Sequence, residues 1–234
     1  MIQNRTKRHW VTGVAMGASL VFLAGCGGSK ATQVDDKMMA RIPEDQLGDV
    51  REAQQARTKA ADNVTRAEVA VRDAERAADV SRRNGDAARS RVEAEQAAVQ
   101  AAEATGQSSP IAQARSRLQG AEAGRAAAEA QVAWHERKTD TLKAEKDLRD
   151  AELKAAESEL NLAEYKALEQ SGDVRAKDMS ESNFLSAIAD SKRDVEDARR
   201  RVDEQMRTEQ QARAQWEQLR SQAPQAFGGS GSVD

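Results

Sequence analysis

The chain has 234 residues, of which 3% are aromatic and 32% charged, and its formal net charge is −3. So few large apolar side chains cannot fill a conventional globular core; the composition is that of long helices packed through narrow seams. Basic and acidic residues are interspersed without a basic face or an aromatic platform, so no nucleic-acid partner is expected. A chain this polar is a candidate for disorder, but sustained hydrophobic periodicity argues for order everywhere except at the two ends.

At the amino end, Arg5, Lys7 and Arg8 form a basic stretch ahead of an uncharged apolar run from Trp10 to Ala24. At 15 residues the run is short for a membrane-spanning helix and has the right length for the hydrophobic part of a signal peptide. It ends in Leu23-Ala24-Gly25-Cys26, which contains the only cysteine of the chain. This tetrapeptide resembles the lipobox of bacterial lipoprotein precursors. The resemblance implies a signal peptide over 1–25 and cleavage between Gly25 and Cys26. It also implies a diacylglyceryl thioether on Cys26 and a palmitate-type chain on the new amino group. Several acyl chains hold a protein on a membrane where one does not. Gly27 stands where enterobacterial lipoproteins retained at the inner membrane carry Asp, which implies the periplasmic face of the outer membrane. With one cysteine there is no intramolecular disulfide.

Residues 26–43 read as the lipidated cysteine and a flexible, glycine-led tether, in which Met38, Met39 and Ile42 are apolar enough to pack back onto helices. The region 44–221 reads as helical. Its first helix, about 44–104, follows Pro43 and carries Val50, Ala53, Arg57, Ala60, Val64, Ala67, Val71, Ala74 and Ala78 at heptad positions a and d. Asn84-Gly85-Asp86 interrupts that series, but Ala88, Val92, Val99 and Ala102 resume it, so a bent but continuous helix is expected. Gly106 suits a helix end, Ser109 an N-cap and Pro110 the first position of the next helix. So short a connection predicts an antiparallel neighbour.

That neighbour, about 110–171, is the longest periodic stretch. With Ile111 at position a, 12 of the 17 a and d positions from Ile111 to Ala167 are apolar, against 13 of the other 40. A repeat held over so many heptads predicts a coiled-coil or bundle seam. Ser171-Gly172-Asp173 ends it. A third helix, about 178–221, carries Phe184, Ile188, Val195, Ala198, Val202, Ala212, Trp216 and Leu219 in register, with Gln205 and Glu209 weakening the series. Residues 222–234 read as a disordered tail. The expectation is an all-α fold: an extended antiparallel coiled coil, built as a three-long-helix up-down-up bundle with flexible ends. A hairpin that self-associates through the same seam is the alternative.

No catalytic constellation is visible: no nucleophile elbow, no phosphate loop and no metal-ligand spacing. The reading is therefore a non-enzyme with no cofactor, no metal and no small-molecule substrate, whose partners are the membrane and proteins met through helical seams. His135 is the one histidine left after cleavage and lacks convergent partners. Arg125, His135, Thr139, Lys146 and Arg149 make the middle of the second helix polar for a seam. They read either as a loosely packed, partly solvated stretch or as residues that fix register or meet an acidic partner helix.

The segment Glu164-Tyr165-Lys166-Ala167-Leu168, followed by Ser171-Gly172-Asp173-Val174 and Asp178, resembles the hairpin tip of periplasmic adaptor proteins from tripartite efflux pumps. Of the three tip positions of that family only the leucine, Leu168, agrees, since Glu164 and Arg175 occupy the others. The resemblance implies partner contact through Leu168, Gly172 and Val174. The leading expectation remains a spacer, scaffold or subunit of a cell-envelope assembly. An accessory of an envelope transport complex is the second. Cys26→Ala should abolish metabolic labelling with a fatty-acid analogue and release the protein from the membrane fraction; labelling that persists removes the lipobox reading.

Overall fold

The computed structural model describes residues 33–223. The expected signal peptide, Cys26 with the first residues of the tether, and the tail from 224 onward lie outside the described residues. Within them the fold is all-α, with no strand. Helix α1 (Asp36–Met39) and a 3-10 turn (Glu44–Gln46) lead into α2 (Gly48–Ala104). Helix α3 (Ser108–Gln170) returns, a second 3-10 turn (Val174–Asp178) comes next, and α4 (Glu181–Gln222) completes the up-down-up order. At 1.5 Å per residue the 63 residues of α3 reach roughly 95 Å.

Helix α3 is shared. It packs along α2 and along α4, whereas α2 and α4 have no seam with each other. The heptad explains why. The a and d positions of α3 face α2: Ala114, Ala121, Ala128 and Thr139 are buried there, opposite Val71, Ala74, Ala78, Ser81, Gly85 and Val92. Positions c and f lie on the other side of the helix, half a turn away. Ten of the 13 apolar residues outside a and d fall on them: Ala127, Trp134, Leu148, Ala155 and Leu162 at c, with Ala123, Ala130, Ala144, Ala151 and Tyr165 at f. This stripe is the second seam. Leu148 packs there with Val195, Ala198 and Val202 of α4, flanked by Ala144, Ala151 and Ala155. One seam was expected on α3; the structure has two, back to back.

Both connections follow from helix-end chemistry. Gly106 (φ +67°) and Gly172 (φ +71°) are the two described glycines in the left-handed region, each one residue past a helix C-cap, Thr105 and Ser171. Gly172 N–H donates to Glu169 O at 3.1 Å and Asp173 N–H to Leu168 O at 3.2 Å, which closes the last turn of α3 as a Schellman motif. The expected N-cap at Ser109 is displaced: α3 begins at Ser108, with extended Gln107 as its cap. Pro43 caps the 3-10 turn rather than α2, which begins at Gly48.

Gly85 does not break α2. It is a seam residue at position a, buried against α3, and a Cβ built on it would stand 3.3 Å from Val132 Cγ2. Close approach of the two helices, not a turn, is what requires glycine there. Gly120, by contrast, has nothing within 4 Å of a built Cβ.

Large side chains are concentrated at one end of the helices. Phe184 and Leu168 are almost completely buried, and Val34, Ile42, Val50, Tyr165, Ala167 and Ala176 join them in one cluster. Met38, Met39 and Leu47 pack against it. The flexible tether expected over 26–43 is thus corrected in its second half: from Val34 onward the chain is part of the core. Each large side chain buried here contributes about 1.5–3 kcal/mol, several times what an alanine layer contributes.

Two glycine substitutions test the close-approach argument in urea unfolding. Gly85→Leu should destabilise by about 1–3 kcal/mol through overpacking against Val132. Gly120→Ala, in a helix interior with open space around it, should stabilise by up to about 1 kcal/mol.

Candidate functional site

The α3–α4 turn, where partner contact is expected from the sequence, is closed by side-chain and backbone hydrogen bonds. Asp173 caps the second 3-10 turn: its Oδ1 accepts from Arg175 N at 3.0 Å and from Arg175 Nε at 2.8 Å, while Oδ2 accepts from Arg175 Nη2. These bonds hold the Asp173 carboxyl well below the usual carboxylate range, with a smaller contribution from the Arg41 charge. Asp35 acts in the same way on Arg175. Two charged residues of the amino-terminal segment therefore sit within electrostatic reach of the turn, and the two parts of the chain brace each other.

The three expected contact residues separate. Leu168 is 0% exposed, locked in the core with Ile42 and Phe184, and cannot meet a partner; it lies at position b, turned toward the packed amino-terminal segment. Glu164, at another tip position of the adaptor resemblance, is also buried, and Arg175 is engaged with Asp173. Gly172 is exposed, and its place is fixed by the Schellman geometry. Val174 is 71% exposed, the most exposed of the large apolar residues described. Of the proposed contact surface, Val174 and the backbone at Gly172 remain available.

Further back along α3, between it and α2, lies an open groove of about 570 Å³ reached by Val34, Gln54, Thr58, Leu160 and Asn161. Arg57 and Glu157 on its walls pair with each other at 3.2 Å, so these two charges are spent on joining the helices.

The polar middle of α3 is satisfied mainly within its own helix. Lys146 Nζ bonds Asp150 at 2.6 Å and Arg149 Nη1 bonds Glu152 at 2.7 Å. The hydroxyls of Thr139 and Thr141 donate to the carbonyls of His135 and Arg137. Arg125 is exposed, 4.0 Å from Glu129. Register is carried instead by pairs along the α2–α3 flank: Glu75–Lys143 at 3.0 Å, Arg82–Glu136 at 3.1 Å, Arg89–Glu129 at 3.2 Å and Glu103–Arg115 at 2.8 Å.

One cluster went unread in the sequence. Trp134 of α3 stacks on Trp216 of α4, with ring centroids 4.8 Å apart and planes 12° apart, and lies 4.6 Å from the His135 ring. Lys138 lies over the Trp134 ring and Arg220 over the Trp216 ring. The Trp134 indole N–H is buried without a hydrogen-bond partner. The signal was present: Trp134 sits at position c of the stripe that carries Leu148 and Leu162.

Among the described residues no group of three or more His, Cys, Asp or Glu side chains is arranged to hold a metal ion. None of the described helices is long and apolar enough to cross a membrane. Comparison with protein-family models, with curated proteins and with solved structures found no match.

Burial, and secondarily the Lys138 charge, pushes the His135 imidazole below its ordinary value of 6.5. The unfolded chain then binds this proton more readily than the folded one. The corresponding stability is fully present above pH 6.5 and is lost as pH falls from there through the lowered folded value. Urea midpoints measured between about pH 7.5 and about pH 5 should therefore drop more for the native sequence than for His135→Gln.

Proposed function

We propose that the chain is a lipid-anchored, periplasm-facing helical protein of the outer membrane that serves as a spacer or scaffold subunit in a cell-envelope assembly. The observation that carries this reading is the way α3 is used. Both of its apolar stripes are occupied by α2 and α4, and the ion pairs between helices serve to hold them in register. What is left to meet other molecules is long, polar helix surface, which suits recognition by charge pattern rather than chemistry on a substrate. The lipobox at Leu23-Ala24-Gly25-Cys26 supports the membrane anchor, and only seven residues lie between Cys26 and Val34 in the core.

A second reading, an accessory of an envelope transport complex, draws on Val174. A large apolar side chain held outward on a braced turn is a fitting contact for a partner. Photocrosslinkers placed at Val80, on the outer face of α2 and 56% exposed, and at Val174 separate the two readings in native envelopes. Crosslinks to envelope proteins from Val80 favour the scaffold. Crosslinks to channel or transporter subunits from Val174 alone, lost in Val174→Asp membranes probed from Lys177, favour the accessory. Absence of protein crosslinks from both positions counts against both.

A further inference from the structure

The two seams of α3 differ in how far they hold. Buried residues of α2 extend to Val92, and ion pairs to α3 run from Arg57–Glu157 to Glu103–Arg115, nearly the whole length of α2. On α4 the buried residues are Phe184, Ser191, Val195, Ala198 and Val202, and none lies beyond Val202. Ion pairs between α3 and α4 include Lys166–Glu181, Glu159–Lys192 and Lys154–Asp194, all on the half nearer the base, the end where Phe184 and Leu168 cluster. Beyond Val202 the inward positions include Gln205, Thr208 and Glu209, half-exposed polar side chains where the first half of α4 has Phe, Val and Ala. Thr208 donates its hydroxyl to Gln205 O within its own helix. The stack of Trp216 on Trp134 is the one ring contact that joins this part of α4 to α3 among the described residues.

We infer that residues 203–222 form a releasable arm that opens as a unit about Val202, with the Trp134–Trp216 stack as its latch. Local opening costs least where few apolar contacts are broken, and the arm has no buried residue where the stretch 183–202 before it has five. The latch also stores its own release. The Trp134 indole N–H, buried without a partner when the arm is closed, regains water when it opens, and an unmade hydrogen bond is expensive only while it is buried. Opening uncovers the side of α3 that carries Trp134 and Thr141 and leaves α2, the base and the first half of α4 in place. The arm is independent of the proposed function.

Hydrogen exchange on the full chain, read by mass spectrometry, tests it. Amides of 203–222 should exchange at least about tenfold faster than those of 183–202, with one break at Val202 and similar rates across the arm. A gradient confined to the last turn is ordinary fraying and overturns the arm, as do equal rates on both sides of Val202. Trp216→Ala should raise exchange in 203–222 by a further several-fold and leave 183–202 unchanged, with Trp216→Phe between the two. An effect that is absent, or spread equally over α3 and all of α4, overturns the latch.

Discussion

The structure depends on one helix burying two opposite sides. Positions a and d of α3 meet α2, and positions c and f meet α4, so α3 has lost to packing both apolar stripes that its sequence provides. Alanine makes this arrangement feasible. Small side chains let helices approach closely and lose little rotamer entropy on burial, though each layer also removes little apolar area from water. Stability of such seams comes from length, and the 57 and 63 residues of α2 and α3 are what the small layers require. Gly85 carries the same logic to its limit, at a point where even a methyl group would press on Val132.

A seam of near-identical alanine layers says little about register, because sliding one helix by a heptad costs few contacts. The charged flank supplies what the seam lacks. Along the flank Glu75 meets Lys143, Arg82 meets Glu136 and Arg89 meets Glu129. Sliding by one heptad therefore sets Glu75 against Glu136 in one direction and Arg82 against Lys143 in the other, like charge against like. Each exposed pair contributes less than about 1 kcal/mol, yet their order along the helix discriminates among registers that apolar packing leaves nearly equal. The base completes the specification. Phe184 stacks on Tyr165 with ring centroids 5.0 Å apart, Leu168 fills the space between the helices and the amino-terminal segment, and the Asp173–Arg175 clamp holds the turn above them. Large residues at one end and alanine along the rest divide the work: the base pins the helices, and the seams extend them.

Much of this was legible in the chain. The all-α class, the three long helices and the two reversals follow from heptad periodicity and from glycine placed just past a helix end. The second seam was equally present, in Trp134, Leu148, Leu162 and Tyr165, but a reading that assigns each helix a single stripe treats those residues as scatter. Of the three expected contact residues, Leu168 alone is buried, for a related reason. Leu168 lies at position b, outside both heptad stripes of α3, and the cluster that buries it includes Val34 and Ile42, residues read as tether. The polar centre of α3 admits two readings in the sequence, a partly solvated stretch or a register and partner contact; in the structure Lys146, Arg149 and Thr139 find partners about one turn away in the same helix.

What the sequence by itself determined is local: where helices start and stop, which of their faces are apolar, and, through the Leu23-Ala24-Gly25-Cys26 resemblance, the expectation of a lipid anchor. These properties depend on neighbours within a few residues, through capping, φ preference and a repeat of about 3.5 residues. Tertiary structure alone decided that α2 and α4 take opposite sides of α3, that residues 34–47 close the base, and that Trp216 in the far part of α4 stacks on Trp134 of α3. Those outcomes are set by contacts between residues scores of positions apart, whose strength comes from shape and burial in the assembled fold, and neither quantity exists until the helices have met.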